Sequence, residues 1–451
     1  MKPKIWQQMC VLSLLPAFTG YTQAAGFKVN EYSTSALGAA NSAGAAQAND
    51  ATTVFSNPAG MTQLSKQQVI GNFSLIDIDA EFSNNGSFDA AGQPVAGSSG
   101  GNAAPLLHVP AGYWVKPLND TMAVGLGITV PYGLTTEYNS SFVGRYGALE
   151  SELLTVDFNP SFAMELSDNF SVGFGVSARY ADVTLSNAIE YGAVCFSALA
   201  PTLGAAAPAA CVANGLAPQA VDGTVELAGD DWGFGYNIGV LYHTDSFKVG
   251  AQYRSKVEFD LEGDANFTNP AIVNAVLGAG GAFADTGITA ELNLPETWNL
   301  SAAWMINSQW TIMADYLHTQ WSRFRTLAVE FDNPAQPDLV EKEHWDNVAR
   351  ISVGTEYKHN DQWTFRAGIG HDESPVPDEY ARPRIPDSDR FIYAVGFAWS
   401  PDQHWTVDAA YNLLIADDSD LASEGNYGET LIGSYDSTKV NLLSVGLTYT
   451  F

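Results

Sequence analysis

Few side chains in this sequence have the type and spacing that covalent or metal chemistry requires. The stretch Gly97-Ser98-Ser99-Gly100-Gly101 matches a hydrolase nucleophile pattern, but it lies in a Ser/Gly-rich loop with no strand before it and no helix after it. The seven histidines are dispersed without metal-ligand spacing. The acidic run 417–420 could bind a divalent cation, but a solvated acidic loop explains it better. We therefore predict no enzymatic activity, no metal site and no cofactor.

Charged residues recur on one side of segments in which polar and apolar residues alternate. In residues 363–369 the apolar side chains share one side and Arg366 lies on the other, and residues 247–254 and 349–357 follow the same pattern. A period of two residues indicates a β-strand with one apolar and one polar face. We expect the apolar faces to contact lipid and the polar faces to line a lumen that contains ion pairs. The charged residues expected there are Arg179, Arg254, Arg350, Arg366, Asp315, Glu356 and Asp408.

The turns between these segments show how many strands there are. Short polar turns alternate without exception with long connections, and the count is about 14 strands, an even number as in outer-membrane barrels. An aromatic residue lies at the start of the strand after most short turns, as expected for a ring of aromatics at a membrane interface. The short turns lie at 117–120, 167–169, 244–246, 307–309, 359–362 and 400–403, and the aromatics are Phe170, Phe247, Trp310, Trp363 and Trp405.

The two ends of the sequence support export and insertion as a barrel. Residues 1–24 have the positive start, short apolar run and small-residue cleavage site of a signal peptide. The remaining chain has no run of about 20 apolar residues that would form a transmembrane helix. The last strand alternates as far as a terminal aromatic, Phe451. We therefore predict an all-β, 14-stranded antiparallel transmembrane β-barrel in a Gram-negative outer membrane, with both termini on the periplasmic side.

Composition restricts the compartment and the partners. Without Lys2 and Lys4, 18 of the 20 basic residues remain against 50 acidic ones, a formal charge of −32, which argues against nucleic acid or an anionic membrane surface as partner. Charged residues make up only 16% of the chain, against ~25% in soluble proteins, although composition alone leaves a soluble all-β protein open. Cys195 and Cys211 are predicted to form a disulfide, because the exported chain meets an oxidising compartment.

The residues before the first strand have an unusual composition. Residues 25–61 consist mostly of Gly, Ala, Ser, Thr and Asn and have no apolar face with which to form a sheet or an amphipathic helix. A barrel of about 14 strands is too wide for its own side chains to fill. We therefore predict that this segment is a lumenal hatch, or plug. The chain then divides into a signal peptide (1–24), a hatch (25–64) and a barrel (65–451).

One predicted strand departs from the pattern of the others. The apolar run 122–130 leads into Pro131, which cannot donate a hydrogen bond to a neighbouring strand. Two interpretations remain open. Either Pro131 lies just above the membrane where the strand ends, or it kinks the strand and opens a hole in the barrel wall.

The long loops are unusually apolar for segments that face water. They include a predicted helix at 269–277 and the segment between the two cysteines. Such loops indicate capture of an apolar ligand or contact with a partner, although packing between the loops explains them almost as well.

Short motifs spread over the mature sequence carry a family resemblance. They include Ala25-Gly26-Phe27, Asn57-Pro58-Ala59, Tyr132-Gly133-Leu134, Trp232-Gly233-Phe234-Gly235, Leu294-Pro295-Glu296 and Ser374-Pro375-Val376-Pro377. On these motifs the chain resembles the FadL-type long-chain fatty acid transporters (the OmpP1/FadL/TodX family) of the Gram-negative outer membrane. The resemblance implies a 14-stranded barrel with an N-terminal hatch. The barrel would contact outer-membrane lipid and lipopolysaccharide, and the protein would act as a monomer.

The resemblance also implies roles for individual residues. The ligand would be caught in an extracellular apolar groove, pass to an internal site beside Phe27, and leave sideways through a gap in the third strand. Asn57, followed by Pro58, would hold the hatch against the kink. Gly133 would form this kink together with Pro131, so the resemblance favours the interpretation in which the wall opens.

Two positions depart from the family's pair of basic residues for the fatty acid carboxylate. One basic position falls on Lys342, or on Glu341 if the match shifts by one residue, and the other falls on the uncharged Asn187. Because a charge-assisted contact favours anionic ligands, the loss of one basic residue puts carboxylate specificity in doubt. Arg145 or Arg384 would have to compensate.

The predicted function is passive uptake of hydrophobic compounds, chiefly long-chain fatty acids, with release into the bilayer at the kink. The nearest alternative is a channel for neutral aromatic or alkane hydrocarbons, which Asn187 would favour. More distant alternatives are a lipid-hydrolysing barrel enzyme and an adhesive barrel. The enzyme would need an exposed Ser/His pair near the outer rim, and the adhesive barrel would need no plug.

Overall fold

The fold is a closed antiparallel barrel. The computed structural model describes residues 26–277 and 281–451, so the predicted signal peptide lies outside the described residues. In the described chain 14 strands pair with their sequence neighbours, and β14 pairs with β1 to close the sheet, which confirms the predicted architecture. The strands are β1 (Gln68–Asp79), β2 (Leu107–Asn119), β3 (Met122–Thr129 and Gly133–Glu137), β4 (Glu150–Ser167), β5 (Phe170–Glu190), β6 (Asp222–His243), β7 (Phe247–Arg254 and Val257–Thr268), β8 (Thr286–Leu294 and Thr297–Met305), β9 (Trp310–Thr319 and Thr326–Phe331), β10 (Leu339–Lys342 and Val348–Lys358), β11 (Trp363–Asp372), β12 (Arg390–Trp399), β13 (Trp405–Ala416) and β14 (Lys439–Thr450).

Short turns and long connections alternate around the barrel as predicted. Residues 168–169 join β4 to β5, whereas residues 191–221 join β5 to β6. The aromatics predicted at the short-turn end lie on the outside of the barrel, with Trp310 42% and Trp405 40% exposed. Their amphipathic rings suit the boundary between lipid and water, which makes the short-turn end one membrane interface.

The two faces of each strand have the predicted character. Along β14, Leu443 and Val445 are 50% and 48% exposed, whereas their neighbour Leu442 is 1% exposed. Large apolar side chains that point outward on a closed barrel are the signature of a lipid-facing surface. The polar faces line the lumen, where Arg366 forms ion pairs of 2.8 Å with Glu356 and 2.6 Å with Asp408.

Residues 26–64, which we call the hatch, fold back into the lumen. They form α1 (Thr34–Leu37), α2 (Thr53–Ser56) and a 3₁₀ helix (Pro58–Gln63), and almost all of them are buried. Their small side chains let the hatch backbone approach the wall closely. The Ala45 carbonyl lies against Gly250 of β7 and the Ala39 carbonyl lies against Gly368 of β11, so that a Cβ atom at either glycine would overlap the hatch.

The hatch also touches the seam where the barrel closes. Thr34 Oγ1 donates a hydrogen bond of 2.9 Å to Asn72 Oδ1 on β1 and lies 2.7 Å from Ser444 Oγ on β14. Ser74 Oγ of β1 donates to the same Ser444 hydroxyl at 2.8 Å. One hatch residue therefore contacts the first and the last strand.

The long-connection end carries the helices α3 (Tyr191–Leu203), α4 (Ala207–Ala213) and α5 (Ala271–Leu277), short 3₁₀ turns at Gly204–Ala206, Trp321–Arg323 and Asp378–Tyr380, and a small sheet of Phe82–Asn84, Ser419–Glu424 and Thr430–Tyr435. The stretch Tyr191–Ala213, 23 residues with a mean hydropathy of 1.5, is long and apolar enough to cross a membrane. A disulfide between Cys195 and Cys211 instead folds it into a hairpin, with the two Cα atoms 6.0 Å apart.

Candidate functional site

The barrel wall is broken in β3. Thr129 pairs with Asp157 and Gly133 pairs with Leu154, so four steps along β3 match three steps along β4, and Val130 to Tyr132 bulge out of the sheet. On the other side of β3, pairing with β2 begins only at Gly112.

The upper part of β2 therefore faces a gap. Leu107 to Ala111 pair with β1, but among the described residues they have no partner on the β3 side. Pro110 lies at this edge and Pro131 lies at the break, and neither can donate a backbone hydrogen bond across the gap. The break coincides with the Pro131 and Gly133 predicted from the sequence, whereas the part played by Pro110 was missed.

The first residues of the hatch occupy the break from inside. The Val29 N–H donates to the Pro131 carbonyl at 2.9 Å, and the Gly133 N–H donates to the Phe27 carbonyl at 2.9 Å. These bonds satisfy backbone groups that have lost their place in the sheet. Val29, 2% exposed, belongs to the same buried apolar cluster as Val109 of β2. The hatch thus lines the gap in the wall.

Phe27 lies in a box of aromatic rings beside the break. Its ring centroid is 4.6 Å from that of Trp321 and 5.4 Å from those of Phe324 and Trp345. Tyr132, inside the break itself, is 6.2 Å away. Phe27 is 2% exposed, so the box encloses it fully.

A small cavity of about 40 Å³ adjoins this aromatic box and shares its Phe324 and Trp345 walls. The remaining walls are mostly apolar, but Arg382, Arg384 and Glu343 also line it. A space of this size admits one small group, so its charged lining suits the head group of an amphiphile, whose apolar tail would have to displace neighbouring side chains. The apolar lining residues are Leu134, Leu185, Leu327, Val376 and Ile385.

Arg384 is the centre of the charged part of this cavity. Its Nε lies 3.3 Å from Glu341 Oε1, and its Nη2 donates to Asn187 Oδ1 at 3.4 Å. Asn187 and Glu341 are buried, as a role at an internal site requires. Arg145 lies elsewhere, where its Nε forms an ion pair of 2.8 Å with Asp222.

The structure corrects the prediction that Lys342 binds the carboxylate, because the Lys342 side chain is exposed and does not line the cavity. Successive residues of a strand point to opposite faces, and it is Glu341 that faces the lumen. The one-residue shift considered in the sequence analysis is therefore the arrangement observed. Arg384, and not Lys342, brings the positive charge to Asn187.

The charge of the cavity depends on Glu343, which lies between the two parts of β10. Burial and the negative charge of Glu341 together raise the pKa of Glu343 to about 8, against the opposing charge of Arg382. Glu343 is therefore mostly protonated at neutral pH. The charges of Arg382 and Arg384 then exceed that of Glu341, which leaves positive charge for an anionic head group.

Asn57 does not contact the break, contrary to the role expected from the resemblance. Its Nδ2 donates to the carbonyls of Ala45, within the hatch, at 2.7 Å and of Val240, on β6, at 3.0 Å. Pro58 follows it at the start of a 3₁₀ helix and packs over Gly173 of β5. Asn57 and Pro58 thus fasten the hatch to intact strands, and the contacts with the break come from Phe27 and Val29.

The remaining candidate groups are a buried carboxylate in the lumen, the nucleophile-like serine loop and possible metal ligands. Sequence reasoning missed Asp157, which is fully buried and lies 3.5 Å from Arg179 and 3.4 Å from Arg254. Ser98 Oγ of the nucleophile-like loop lies 2.8 Å from Ser141 Oγ in an exposed position. The described residues include no cluster of His, Cys, Asp and Glu side chains that could hold a metal ion.

A closed barrel with a lipid-facing outer surface and a segment folded into its lumen defines an outer-membrane transport barrel. The family model for outer membrane protein transport proteins (OMPP1/FadL/TodX) matches residues 15–451. The chain belongs to this family, and it is therefore an outer-membrane transport protein and not an enzyme.

Relatives and solved structures agree with this assignment. The chain is 35% identical over 397 residues to the long-chain fatty acid transport protein of Escherichia coli O6:H1, and the aligned residues cover 86% of each chain. Its fold matches the crystal structure of a Pseudomonas aeruginosa FadL homologue with a TM-score of 0.83, at 24% identity, over 95% of this chain and all of the other. The toluene transporter TodX of Pseudomonas putida matches with a TM-score of 0.66, at 21% identity, over 92% of this chain and 99% of the other.

Proposed function

We propose that this protein is a passive channel that takes up long-chain fatty acids. The observation that carries the proposal is the mostly apolar cavity lined by Arg382 and Arg384, beside the aromatic box of Phe27. The similarity to a relative from Escherichia coli O6:H1 named a long-chain fatty acid transport protein supports it. The channel acts as a monomer in contact with outer-membrane lipid and lipopolysaccharide.

The proposed route begins at the apolar helices of the long-connection end. Val212 and Ile272 are 53% and 39% exposed there, and they offer a surface on which an apolar tail partitions from water. The head group then enters the cavity, which is too small for an alkyl chain, and the tail competes with Phe27 for the aromatic box. Displacement of Phe27 and Val29 breaks their two backbone hydrogen bonds to β3, and the ligand leaves sideways through the gap into the bilayer.

A channel for neutral hydrocarbons is the second candidate function. It is favoured by Asn187, which is uncharged, and by the ion pair with Glu341 that already engages Arg384. The toluene transporter that shares this fold shows only that the fold accommodates such a protein.

Uptake measurements distinguish the two functions. Radiolabelled oleate and hexadecane are offered to cells that lack other such channels and express either the wild type or the double variant Arg384→Met/Glu341→Gln. The double variant removes the ion pair as a unit, so that no buried charge is left unpaired. We expect it to lower oleate uptake about tenfold and to leave hexadecane uptake unchanged, because only oleate needs the charge-assisted contact.

Lys342→Met is the matched control, because Lys342 lies on the same strand as Glu341 but is exposed. This variant should take up both compounds as the wild type does. If neither compound enters wild-type cells, the transport proposal is wrong. Entry of hexadecane alone would establish the second candidate function.

Lateral release has its own test. Replacing Pro131 and Gly133 with Val should extend the pairing of β3 and reduce uptake several-fold by closing the wall. Gly71→Val is the control for a glycine change in an intact region, because Gly71 of β1 is paired with both neighbouring strands and a Cβ atom there meets nothing within 4 Å. Unchanged uptake in the Pro131/Gly133 variant would show that the ligand leaves through the lumen toward the periplasm.

A further inference from the structure

A second cavity of about 40 Å³ lies between the hatch and the wall, directly behind the break in β3. Pro131 and Tyr132 of the break form part of its lining. Lys28 of the hatch, Arg254 of β7 and Arg350 of β10 also line it, and none of its described lining residues is acidic. Three basic side chains thus meet in one small buried space.

Two of these basic groups lack a close carboxylate partner. Lys28 Nζ donates to the neutral Asn30 Oδ1 at 2.7 Å. The ion pair between Arg350 Nη2 and Asp315 Oδ1 is long, 3.8 Å, and Arg350 Nε has no hydrogen-bond partner in the described part of the chain although the residue is 4% exposed. A buried cation without a close counter-ion is costly, and an anion in the cavity would reduce that cost.

Asp157 and Asp315, the carboxylates nearest to the two arginines, are also engaged by other groups. Asp157 is shared between Arg254 at 3.4 Å and Arg179 at 3.5 Å. Asp315 accepts two hydrogen bonds of 3.0 Å from Asn299. Arg254 in turn donates to the Phe55 carbonyl of the hatch at 3.0 Å.

The size of the cavity limits what it can hold. A water molecule takes up about 30 Å³ in the liquid, so a space of about 40 Å³ accommodates one small group such as a carboxylate and not an alkyl chain. A ligand with its head group here would have to extend its tail along Tyr132 and Pro131, toward the gap in the wall.

We propose that Lys28, Arg254 and Arg350 form an anion site in the lumen that receives the carboxylate of a fatty acid as its tail moves toward the break in β3. The site shares no lining residue with the cavity lined by Arg384, and it deepens the proposed function and rests on it. A small inorganic anion has the same charge and is the other source of this chemistry.

Lys28 makes the site dependent on the position of the hatch. It follows Phe27 directly in the sequence, whereas the two arginines belong to the wall. Burial and the charges of Arg350 and Arg254 lower the pKa of Lys28 to about 7, against the opposing charges of Asp372 and Glu31. An anion beside Lys28 favours its charged form, so the carboxylate binds together with a proton and ties the tip of the hatch to the wall.

The first experiment compares Lys28→Gln with the wild type in uptake of two compounds that share one tail, oleate and oleyl alcohol. We expect oleate uptake to fall about tenfold and oleyl alcohol uptake to stay unchanged, because the lost contact is charge-assisted. Lys342→Gln, which changes an exposed lysine, should affect neither. Equal loss of both compounds, or no loss of oleate uptake, would overturn the anion site. If neither compound enters wild-type cells, it is the proposed function that fails.

The second experiment locates the anion directly. Crystals of the full-length mature protein are soaked in bromide, whose anomalous scattering should give a peak among Lys28, Arg254 and Arg350 that Lys28→Gln abolishes. Saturation with decanoate should remove the peak from wild-type crystals, since the carboxylate takes the same place. A bromide peak that persists with decanoate would assign the cavity to inorganic anions, and the absence of a peak without decanoate would refute an anion site.

Discussion

The tip and the body of the hatch are held in the lumen by different kinds of contact. The tip, residues 26–29, packs Phe27 among aromatic rings and makes two backbone hydrogen bonds to the broken strand β3. The body, residues 38–61, is fixed to intact strands: Asn57 donates to Val240 of β6, and the Ala46 N–H donates to Ser301 Oγ of β8 at 2.8 Å.

The difference shows which end of the hatch a ligand can move. An apolar tail can replace the ring contacts of the tip, because contacts between apolar surfaces are not directional. The tail cannot replace hydrogen bonds, whose loss leaves buried polar groups unpaired. The two backbone hydrogen bonds of the tip reach the broken strand β3, whereas those of the body reach several intact strands. We infer that one segment combines a movable tip with a fixed body, and that the channel opens at the wall without emptying the lumen.

The largest effect is expected when the body of the hatch is displaced from the barrel wall. Gly250→Val combined with Gly368→Val places side chains where the carbonyls of Ala45 and Ala39 lie, so the body should leave its seat. A barrel of 14 strands without its plug leaves an aqueous channel, and its conductance in planar bilayers should rise at least about tenfold. Gly71→Val is the control, because a Cβ atom at Gly71 meets nothing within 4 Å. Conductance at the wild-type level in the double variant would show that the body tolerates displacement.

Truncating Phe27 should release the tip alone. Removal of a buried Phe side chain costs about 3–5 kcal/mol, so amide exchange over the tip should accelerate at least a hundredfold in Phe27→Ala, while exchange over the body stays unchanged. Hydrogen–deuterium exchange measured by mass spectrometry on the purified protein reports both regions in one experiment. If the tip and the body accelerate together, the hatch moves as one unit and the distinction between its ends is wrong.

Asn57→Ala should loosen the body without freeing the tip. It removes the donor for two buried carbonyls, Ala45 and Val240, which costs about 2–3 kcal/mol and should accelerate exchange over the body roughly 30- to 100-fold. The family resemblance predicts the opposite, that Asn57 holds the hatch at the kink. Faster exchange at the tip in this variant would therefore indicate that Asn57 holds the hatch at the kink, as the resemblance implies, and would contradict the role inferred from its hydrogen bonds.

The smallest expected effect is the pH dependence of oleate binding, which arises in part from Glu343 in the cavity beside the tip. Because its pKa is raised to about 8, Glu343 is mostly neutral at pH 7 and mostly charged at pH 9. The added negative charge repels a carboxylate, so equilibrium binding of oleate to the purified protein should weaken about three- to tenfold over this range. Glu343→Gln should flatten the profile in part, because the loss of charge on Lys28, whose pKa is lowered to about 7, also weakens oleate binding over this range. A profile as steep as that of the wild type would show that Glu343 does not contribute.

The sequence contains enough local information to predict the barrel. Period-two alternation and the spacing of turns depend on neighbouring residues, so the 14 strands, their lipid-facing sides and the aromatic ring at Trp310 and Trp405 could be predicted without a structure. The small residues before β1 likewise predicted a segment that must fit inside the barrel.

The site was predicted only in part, for two physical reasons. In β10 an error of one residue exchanges the two faces, which turned the buried Glu341 into the exposed Lys342. Asn57 and Val29 contact backbone atoms of strands that are distant in the sequence. Every residue has a backbone carbonyl, so the residue types do not indicate which one is the partner. The resemblance assigns Phe27 and Asn187 to an internal ligand site; both are buried in the structure, and their role there stays a prediction.

The contact of Thr34 with both β1 and β14 also bears on how the barrel assembles. The seam joins parts of the chain about as far apart as the barrel allows, Ser74 and Ser444 being 370 positions apart, so its closure carries a high entropic cost. A hatch that has docked on β1 through Asn72 presents its Thr34 hydroxyl to the arriving β14. The hatch would then serve as an internal template for closure before it serves as a plug.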